Sequence, residues 1–182
     1  MQCPCPISIK DPRAKKNSVR VVVPCNVCPV CLQNKRADWS FRLNEELRTA
    51  KNAFFLTLTY SDDKLPYKTF GTMEFIPELN KGDLRNFHKR MRITIDRDKK
   101  VQQAASKWPQ MRYYAVGEYG TETKRPHYHG IYFNIPKHIM DNVESVWQQG
   151  QTHYGTCTPA SIHYVTKYVI NEKDEYMEKQ PP

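Results

Sequence analysis

The stretch EYGTETKRPHYHGIYF, Glu118 to Phe133, decides the fold, because it reads as two strands joined by a turn. The runs MRYYAVGEYG and HYHGIYFN are rich in aromatic and β-branched residues, and the segment TETKRP between them is polar and ends in proline. Side chains alternate faces along a strand, so His127 and His129 point to one side and Tyr128 to the other. The pattern therefore predicts a β-hairpin that aims two imidazoles at one spot.

A carboxylate belongs to the same predicted hairpin. If the turn pairs the two strands, Glu118 falls close to level with His127 or His129 on the neighbouring strand. One carboxylate and two imidazoles form half a shell for a divalent ion and leave positions for water and phosphate oxygens. Taken alone, a His-x-His pair is more often an ordinary surface strand. The basic residues Lys124 and Arg125 in the turn favour phosphate binding nearby.

The rest of the chain supplies strands and helices around this hairpin. FFLTLTY, Phe54 to Tyr60, is typical of a central strand buried on both faces, and residues 61–80 read as a loop. Apolar residues at helical spacing predict four helices, over residues 32–52, 82–95, 138–149 and 161–171. Strands and helices alternate without a regular strand-helix-strand rhythm. This order predicts an α+β fold in which helices pack on an antiparallel sheet.

The second predicted helix is amphipathic and strongly basic. Its apolar stripe consists of Leu84, Phe87, Met91 and Ile95. Residues 81–107 carry nine Lys or Arg against three Asp, so the outer side of this helix is positive. Such a side is either a solvated face or one that meets DNA, and the segment alone does not separate the two.

The last predicted helix displays two tyrosines. Its apolar positions fall within one narrow sector: Ile162, Val165 and Val169. Tyr164 and Tyr168 stand one turn apart on nearly the opposite side, with Lys167 on the flank. Two such tyrosines are either ordinary surface residues or nucleophiles. A phenol is mostly protonated at neutral pH, so as a nucleophile it needs a nearby cation, base or metal, and Lys167 and the candidate metal can supply that.

Cysteines are concentrated near the N-terminus. Cys25, Cys28 and Cys31 form C-x-x-C-x-x-C, and Cys3 and Cys5 add C-x-C upstream. Four thiolates can close a tetrahedral structural zinc site and leave one thiol over. An iron–sulfur cluster and free reduced thiols are the alternatives, and the spacing does not identify the spare cysteine.

Composition and charge narrow the class of protein. The 182 residues suit one domain with a small appendage, which we expect as a Cys-rich segment over residues 1–31 and a larger domain over residues 32–182. The net charge of +9 favours an anionic partner, nucleic acid before an anionic membrane surface. The sequence shows neither an apolar run of about 20 residues nor the apolar core of a signal peptide, so we expect a soluble intracellular protein.

Three motifs in order resemble a known family. The strand FFLTLTY, the later histidine strand RPHYHGIYF and the helical YVTKY resemble the three motifs of the HUH endonucleases that initiate rolling-circle replication. The stretch VPCNVCPVCLQNKRADWSFRL is similar to the N-terminal region of initiators of the microviruses, small single-stranded DNA phages, and most like their gokushovirus-related group. The resemblance covers roughly residues 20–172.

The resemblance implies a site and a reaction. His127 and His129 would bind Mg²⁺ or Mn²⁺, with Glu118 as a third ligand. A tyrosine would attack a single-stranded DNA phosphate and form a 5′-phosphotyrosine, releasing a 3′-hydroxyl that primes replication. Tyr164 and Lys167 match the single-tyrosine pattern Tyr-x-x-Lys.

Tyr168 would add the second tyrosine of the phage type, so that one tyrosine holds DNA while the other cuts and the circle is rejoined. The implied fold is an antiparallel sheet of about five strands with flanking helices, the metal histidines lying on a central strand. The implied partners are single-stranded origin DNA and a host replication helicase, in the cytoplasm of a bacterial host. Initiators of these phages are often longer, so we expect the chain to cover a nuclease domain.

Two other functions fit parts of the sequence. One is a zinc-stapled, basic nucleic-acid-binding or regulatory protein without catalysis, in which the histidines and tyrosines are surface or base-stacking residues. The other is a related single-strand transposase or relaxase, against which the paired tyrosines argue mildly. Covalent chemistry requires a tyrosine hydroxyl and stacking does not, so phenylalanine substitutions separate the first of these from a nickase.

Overall fold

The computed structural model of the chain describes residues 2–14, 19–70 and 74–168. The strands are β1 (Ile7–Lys10), β2 (Arg20–Val23), β3 (Ala53–Thr59), β4 (Tyr67–Phe70), β5 (Glu74–Pro77), β6 (Arg112–Tyr119), β7 (Pro126–Phe133) and β8 (Thr152–Thr156). The helices are α1 (Pro29–Thr49), α2 (Lys81–Arg97), α3 (Lys99–Gln102), α4 (Lys137–Met140), α5 (Val143–Trp147) and α6 (Pro159–Lys167). Among the helices of these residues, none is long and apolar enough to cross a bilayer.

Contacts divide the chain into two compact units. The first joins Met1–Leu43 to the C-terminal segment that starts at Thr166, and the second is Asn44–Val165. In the first unit, β1 and β2 form an antiparallel ribbon, and the hydroxyls of Ser40 and Thr166 lie 3.0 Å apart. The second unit contains the main sheet, the β4–β5 hairpin and α2 to α5. The domain boundary predicted after residue 31 stays a prediction.

The main sheet belongs to the second unit and is antiparallel throughout. Its strands follow the order β6-β7-β3-β8, so FFLTLTY is a central strand and the histidine strand β7 is interior. The predicted class, an antiparallel sheet with helices, is confirmed. In the described part of the chain this sheet has four strands, where the resemblance implied about five. The remaining strands form two separate two-stranded sheets, β1-β2 and β4-β5.

Helix α2 covers one face of the sheet. It starts after Asn80, whose side chain accepts a hydrogen bond from the Gly82 N–H at 2.8 Å. Phe87, Met91 and Ile95 of its predicted stripe are buried. They share one core cluster with these side chains of the sheet and α5: Phe54, Leu56, Leu58, Tyr128, Tyr132 and Trp147. Since the core takes alternate residues of β3 and β7, the intervening ones, including both histidines of β7, face the other side.

Three elements differ from the sequence prediction. Residues 61–80, predicted as a loop, contain a 3₁₀ turn and the β4–β5 hairpin, whose strands pair with each other. Residues 138–149 contain two short helices, and the second ends at Gln148 in the left-handed region, with φ of 64°. Strand β8 was not predicted, because THYGT is short and polar and becomes a strand only by pairing with β3. Helix α6 ends at Lys167, and residues 169–171 of its predicted span lie outside the described residues.

Candidate functional site

The hairpin brings its three polar side chains together as predicted. In the β6–β7 register, Glu118 lies opposite His127, and Val116 lies opposite His129. The Oε2 atom of Glu118 lies 3.4 Å from Nε2 of His127 and 3.1 Å from Nε2 of His129. All three side chains are largely buried, with between 10% and 20% of each exposed. One carboxylate oxygen and two imidazole nitrogens, all within 4.8 Å of one another, can hold one metal ion.

The outer nitrogens of the two imidazoles are held by the protein. His127 Nδ1 lies 3.1 Å from the carbonyl oxygen of Arg125, and since a carbonyl only accepts, Nδ1 carries the hydrogen. His129 Nδ1 lies 3.0 Å from the hydroxyl of Thr57, its register partner on β3. Metal-binding histidines are typically oriented by such a partner on the second nitrogen. The donor set and its outer partners therefore fit a divalent cation.

Tyr164 of α6 reaches the same carboxylate. Its hydroxyl donates to Oε2 of Glu118 at 3.4 Å. Its ring meets the His129 ring edge to face, with centroids 5.3 Å apart, and lies 5.9 Å from the ring of Phe55. Phe55 in turn stacks on His129, with centroids 5.5 Å apart. The aromatic contacts fix the direction of the phenol, so its oxygen adjoins the candidate metal position.

Lys167 and Tyr168 belong to the first unit of the chain. The ammonium of Lys167 lies over the Tyr168 ring, 4.7 Å from its centroid, which is a cation–π contact. Ile162 and Val165, predicted for the core side of this helix, are fully buried. Val169, the third predicted core position, lies outside the described residues.

The two basic residues of the turn differ in their surroundings. Arg125 donates to a carboxylate oxygen of Asp62 at 2.6 Å and to the carbonyl of Tyr60 at 2.9 Å, so its guanidinium ties the turn to the end of β3. Lys124 is exposed, with φ of 53° in the left-handed region. DNA binding by Lys124 and Arg125 stays a prediction. Arg125 contributes to the site chiefly through its carbonyl, which orients His127.

Four of the five N-terminal cysteines form a second group in the first unit. The sulfur atoms of Cys3, Cys25, Cys28 and Cys31 all lie within 4.8 Å of one another. The ribbon register pairs Ile7 with Val23, and continued by two residues it brings Cys5 level with Cys25. The Cys5 sulfur lies 3.5 Å from that of Cys25, but Cys5 is exposed and outside the group of four. The structure thus indicates which cysteine is spare.

The backbone prepares this group for thiolate ligands. The N–H groups of Cys28 and Cys31 point to the sulfur atoms of Cys25 and Cys28, at 3.3 and 3.5 Å. Hydrogen bonds from the backbone N–H groups of Val27 and Cys28 lower the pKa of the Cys25 thiol to about 6. Thiolate is the form that binds a metal, so the loop is suited to one.

Thr57 and Phe55 are site residues that the sequence analysis did not single out. Both lie on β3, on the face that carries the histidines of β7. A signal existed in FFLTLTY, where threonines alternate with leucines and so face away from the core. The partner of Thr57 remained hidden, because it depends on the pairing of strands 72 residues apart.

Together, the sheet, the Glu-His-His cluster and the adjoining tyrosine define a mixed α/β protein with a candidate metal centre beside a candidate nucleophile. The sequence profile of a family of phage-type replication proteins, described as replication-associated protein ORF2, matches residues 53–174, more than half of the chain. The chain belongs to this family.

Three curated relatives are similar to most of the chain. Replication-associated protein ORF2 of Spiroplasma virus 4 is 29% identical over 166 residues, covering 82% of this chain and 48% of the relative. Replication-associated protein VP4 of Bdellovibrio phage phiMH2K is 27% identical over 178 residues, covering 88% and 51%. Replication-associated protein ORF4 of Chlamydia phage 1 is 26% identical over 168 residues, covering 81% and 37%. The chain thus spans about half or less of the length of these relatives.

A solved structure is also similar at a lower level. The crystal structure of the hypothetical protein ORF119 from Sulfolobus islandicus rod-shaped virus 1 aligns with a TM-score of 0.39 and 14% identity. The alignment covers 82% of this chain and 97% of that one.

Proposed function

We propose that this chain is the nuclease part of a phage replication initiator, and that it nicks and rejoins single-stranded DNA through a tyrosine. The observation that carries the proposal is the contact between Tyr164 and Glu118, because it joins a candidate nucleophile to the carboxylate on which both histidines converge. The names of the phage relatives, replication-associated proteins, support a role in starting replication. The net charge of +9 suits a DNA substrate.

The proposed step transfers a phosphoryl group to the phenol. The oxygen of Tyr164 bonds to phosphorus as the bond to the 3′ oxygen breaks, leaving a 5′-phosphotyrosine and a free 3′-hydroxyl. The phenol loses a proton and the 3′ oxygen gains one, so the step is balanced and the reverse reaction rejoins the strand without ATP. The hydrogen bond to Glu118 aims the phenol oxygen, and contacts with His129 and Phe55 hold its ring.

Glu118, His127 and His129 are the residues that would hold the ion of this site. Mg²⁺ or Mn²⁺ bound there would polarise the scissile phosphate and offset the charge that develops on its oxygens. Arg125 and Thr57 keep the imidazoles oriented with Nε2 toward the centre. Basic residues such as Lys124 would hold the strand nearby.

Further parts of the proposal come from the family resemblance. Tyr168 would act as the second nucleophile, with Lys167 assisting one of the two tyrosines. The substrate would be a single-stranded phage origin, a host replication helicase would be the partner, and the reaction would take place in the cytoplasm of the bacterial host. We assign the Cys3, Cys25, Cys28 and Cys31 group to structural zinc, because four thiolates leave no open position for chemistry.

The reaction is tested with a pool of single-stranded phage-origin oligonucleotides and Mn²⁺. We expect a covalent species on a denaturing gel whose intact mass equals the protein plus the 5′-phosphorylated downstream fragment. Peptide mapping of the adduct identifies the tyrosine. Tight binding without an adduct, across the whole pool and several divalent metals, would contradict the proposal and favour a non-catalytic nucleic-acid-binding protein.

A first prediction concerns Thr57 as a positioning residue. Thr57→Val keeps the shape of the side chain but removes the hydroxyl that contacts Nδ1 of His129. We expect Mn²⁺ affinity, measured by titration calorimetry without DNA, to fall about 10–100-fold, as is typical when an outer partner of a metal ligand is lost. Thr57→Ser keeps the hydroxyl and should restore most of the affinity. Equal Mn²⁺ binding by the valine variant and the native protein would show that Thr57 only packs the strand.

A second prediction concerns the cysteine group. Native protein purified without chelator should carry about one zinc per chain, measured by elemental analysis. Cys28→Ser removes a buried member of the group of four and should abolish stoichiometric zinc, whereas Cys5→Ser should retain it. Loss of zinc in Cys5→Ser with retention in Cys28→Ser would show that the ligand set is assigned wrongly. Iron in place of zinc would contradict the choice of metal.

A further inference from the structure

A basic groove runs between α2 and β6 on the second unit. The groove has a volume of about 270 Å³, and its polar and aromatic lining consists of Lys81, Arg85, His88, Lys89, Arg92 and Tyr113. All four cations are exposed, and no carboxylate is among the described residues that line the groove. Exposed cations without neutralising carboxylates attract an anionic ligand.

The four cations follow one line along the helix. At about 100° per residue, positions 81, 85, 89 and 92 fall within one sector of α2, roughly 80° wide. At about 1.5 Å per residue, they extend over about 16 Å. A single phosphate group is far smaller than this line of charge. The arrangement instead fits a polyanion whose charges also follow a line.

Tyr113 adds an aromatic surface beside the cations. Its side chain lies on β6, 39% exposed, and its ring stacks on the His88 imidazole with centroids 3.7 Å apart and planes at 27°. His88 is buried and lies 3.0 Å from the hydroxyl of Tyr132, which holds it in place. Burial lowers the pKa of His88 to about 4, so at neutral pH the imidazole supports the tyrosine as an uncharged ring.

We propose that this groove binds single-stranded DNA beyond the nicking site, with Lys81, Arg85, Lys89 and Arg92 along its phosphates and Tyr113 against a base. Cations beside a rigid aromatic ring are the combination found in single-strand binding surfaces, where every base offers a face for stacking. The identity of the strand rests on the proposed function; the groove itself does not depend on nicking.

The groove can serve the same strand as the candidate metal site. β6 is an edge strand of the sheet and carries both Tyr113 and Glu118. The two residues are five positions apart, which is about 17 Å along a strand, and an odd separation puts their side chains on opposite faces. A strand held in the groove would therefore pass around the β6 edge between the two positions.

The test measures binding of a labelled oligothymidine of about 20 nucleotides, longer than typical single-strand site sizes of about 4–16 nucleotides. Binding is followed by fluorescence anisotropy in EDTA over a range of salt, so that neither nicking nor metal is required. Arg85→Gln with Lys89→Gln removes two groove cations, and Lys99→Gln with Lys100→Gln removes two exposed cations of α3 that do not line the groove.

We expect the groove variant to bind roughly tenfold more weakly at low salt. The slope of log K against log salt should become shallower by about 1.4, at about 0.7 for each lost phosphate contact. The α3 variant should keep the slope of the native protein. Tyr113→Leu should weaken binding roughly tenfold with little change in slope, and Tyr113→Phe should bind like the native protein.

Other outcomes separate this proposal from its alternatives. Equal losses in the groove and α3 variants would overturn it, because binding would then follow total charge. A larger loss for a duplex of the same length than for the single strand would overturn the choice of single-stranded DNA. If the native protein fails to nick any origin oligonucleotide while the groove variant still loses binding as expected, nicking is wrong and the groove stands.

Discussion

Replacing Tyr164 with phenylalanine should abolish the covalent DNA adduct and lower the cleavage rate by about 10³-fold or more. The substitution removes one oxygen, which donates to Glu118 at 3.4 Å and is the atom proposed to bond to phosphorus. Loss of a nucleophile leaves only what binding and electrostatics contribute, which in other enzymes is a small part of the total. The ring contacts with Phe55 and His129 do not use the hydroxyl, so the fold should be kept.

The measurement is single-turnover cleavage of an origin oligonucleotide with Mn²⁺, alongside binding of the same strand in EDTA. Binding should change less than about threefold, since one hydroxyl hydrogen bond contributes only about 0.5–1.5 kcal/mol net. Tyr67→Phe, the same change at an exposed tyrosine of β4, is the matched control and should cleave normally.

Tyr168→Phe distinguishes the two candidate nucleophiles. We expect it to keep the first cleavage and to lose the second transfer that rejoins the strand. If Tyr168→Phe abolishes the adduct and Tyr164→Phe does not, the two roles are exchanged. If the double variant still forms the adduct, a tyrosine mechanism on this helix is wrong.

The hairpin site follows from local rules, which is why it could be predicted. Strand alternation is a property of the backbone, so His127 and His129 share a face in any extended conformation. The polar turn limits the register of the two strands to a few choices, and each of these leaves Glu118 within reach of an imidazole. Helical spacing likewise predicted that Ile162 and Val165 are buried.

The features that escaped prediction depend on contacts between distant parts of the chain. Thr57 meets His129 only because β3 pairs with β7 in one particular register. The sequence offered five N-terminal cysteines without rank, and the β1–β2 ribbon determines that Cys5 is the exposed one. Strand β8 has no pattern of its own and forms against β3. Non-local pairing is set by the whole fold, and no short window of residues encodes it.

Replacing His127 and His129 together with alanine should abolish divalent-ion binding and cleavage. The two Nε2 atoms are two of the three converging ligand atoms, and Glu118 alone offers a single carboxylate. We expect Mn²⁺ affinity by calorimetry without DNA to fall by more than about 100-fold, beyond the effect of losing an outer partner. Cleavage should fall by about 10³-fold, as several kcal/mol of transition-state stabilisation are lost at about 1.4 kcal/mol per factor of ten.

The control is His138→Ala, which removes an imidazole that faces one carboxylate, Asp98, at 2.8 Å. The described residues offer no third ligand there, so Mn²⁺ binding and cleavage should not change. If the His127 and His129 variant binds Mn²⁺ normally yet fails to cleave, the imidazoles act on the DNA directly and the ion is held elsewhere. If the variant neither binds Mn²⁺ nor loses cleavage, the metal is not part of the reaction, and the contact between Tyr164 and Glu118 would have to activate the phenol without it.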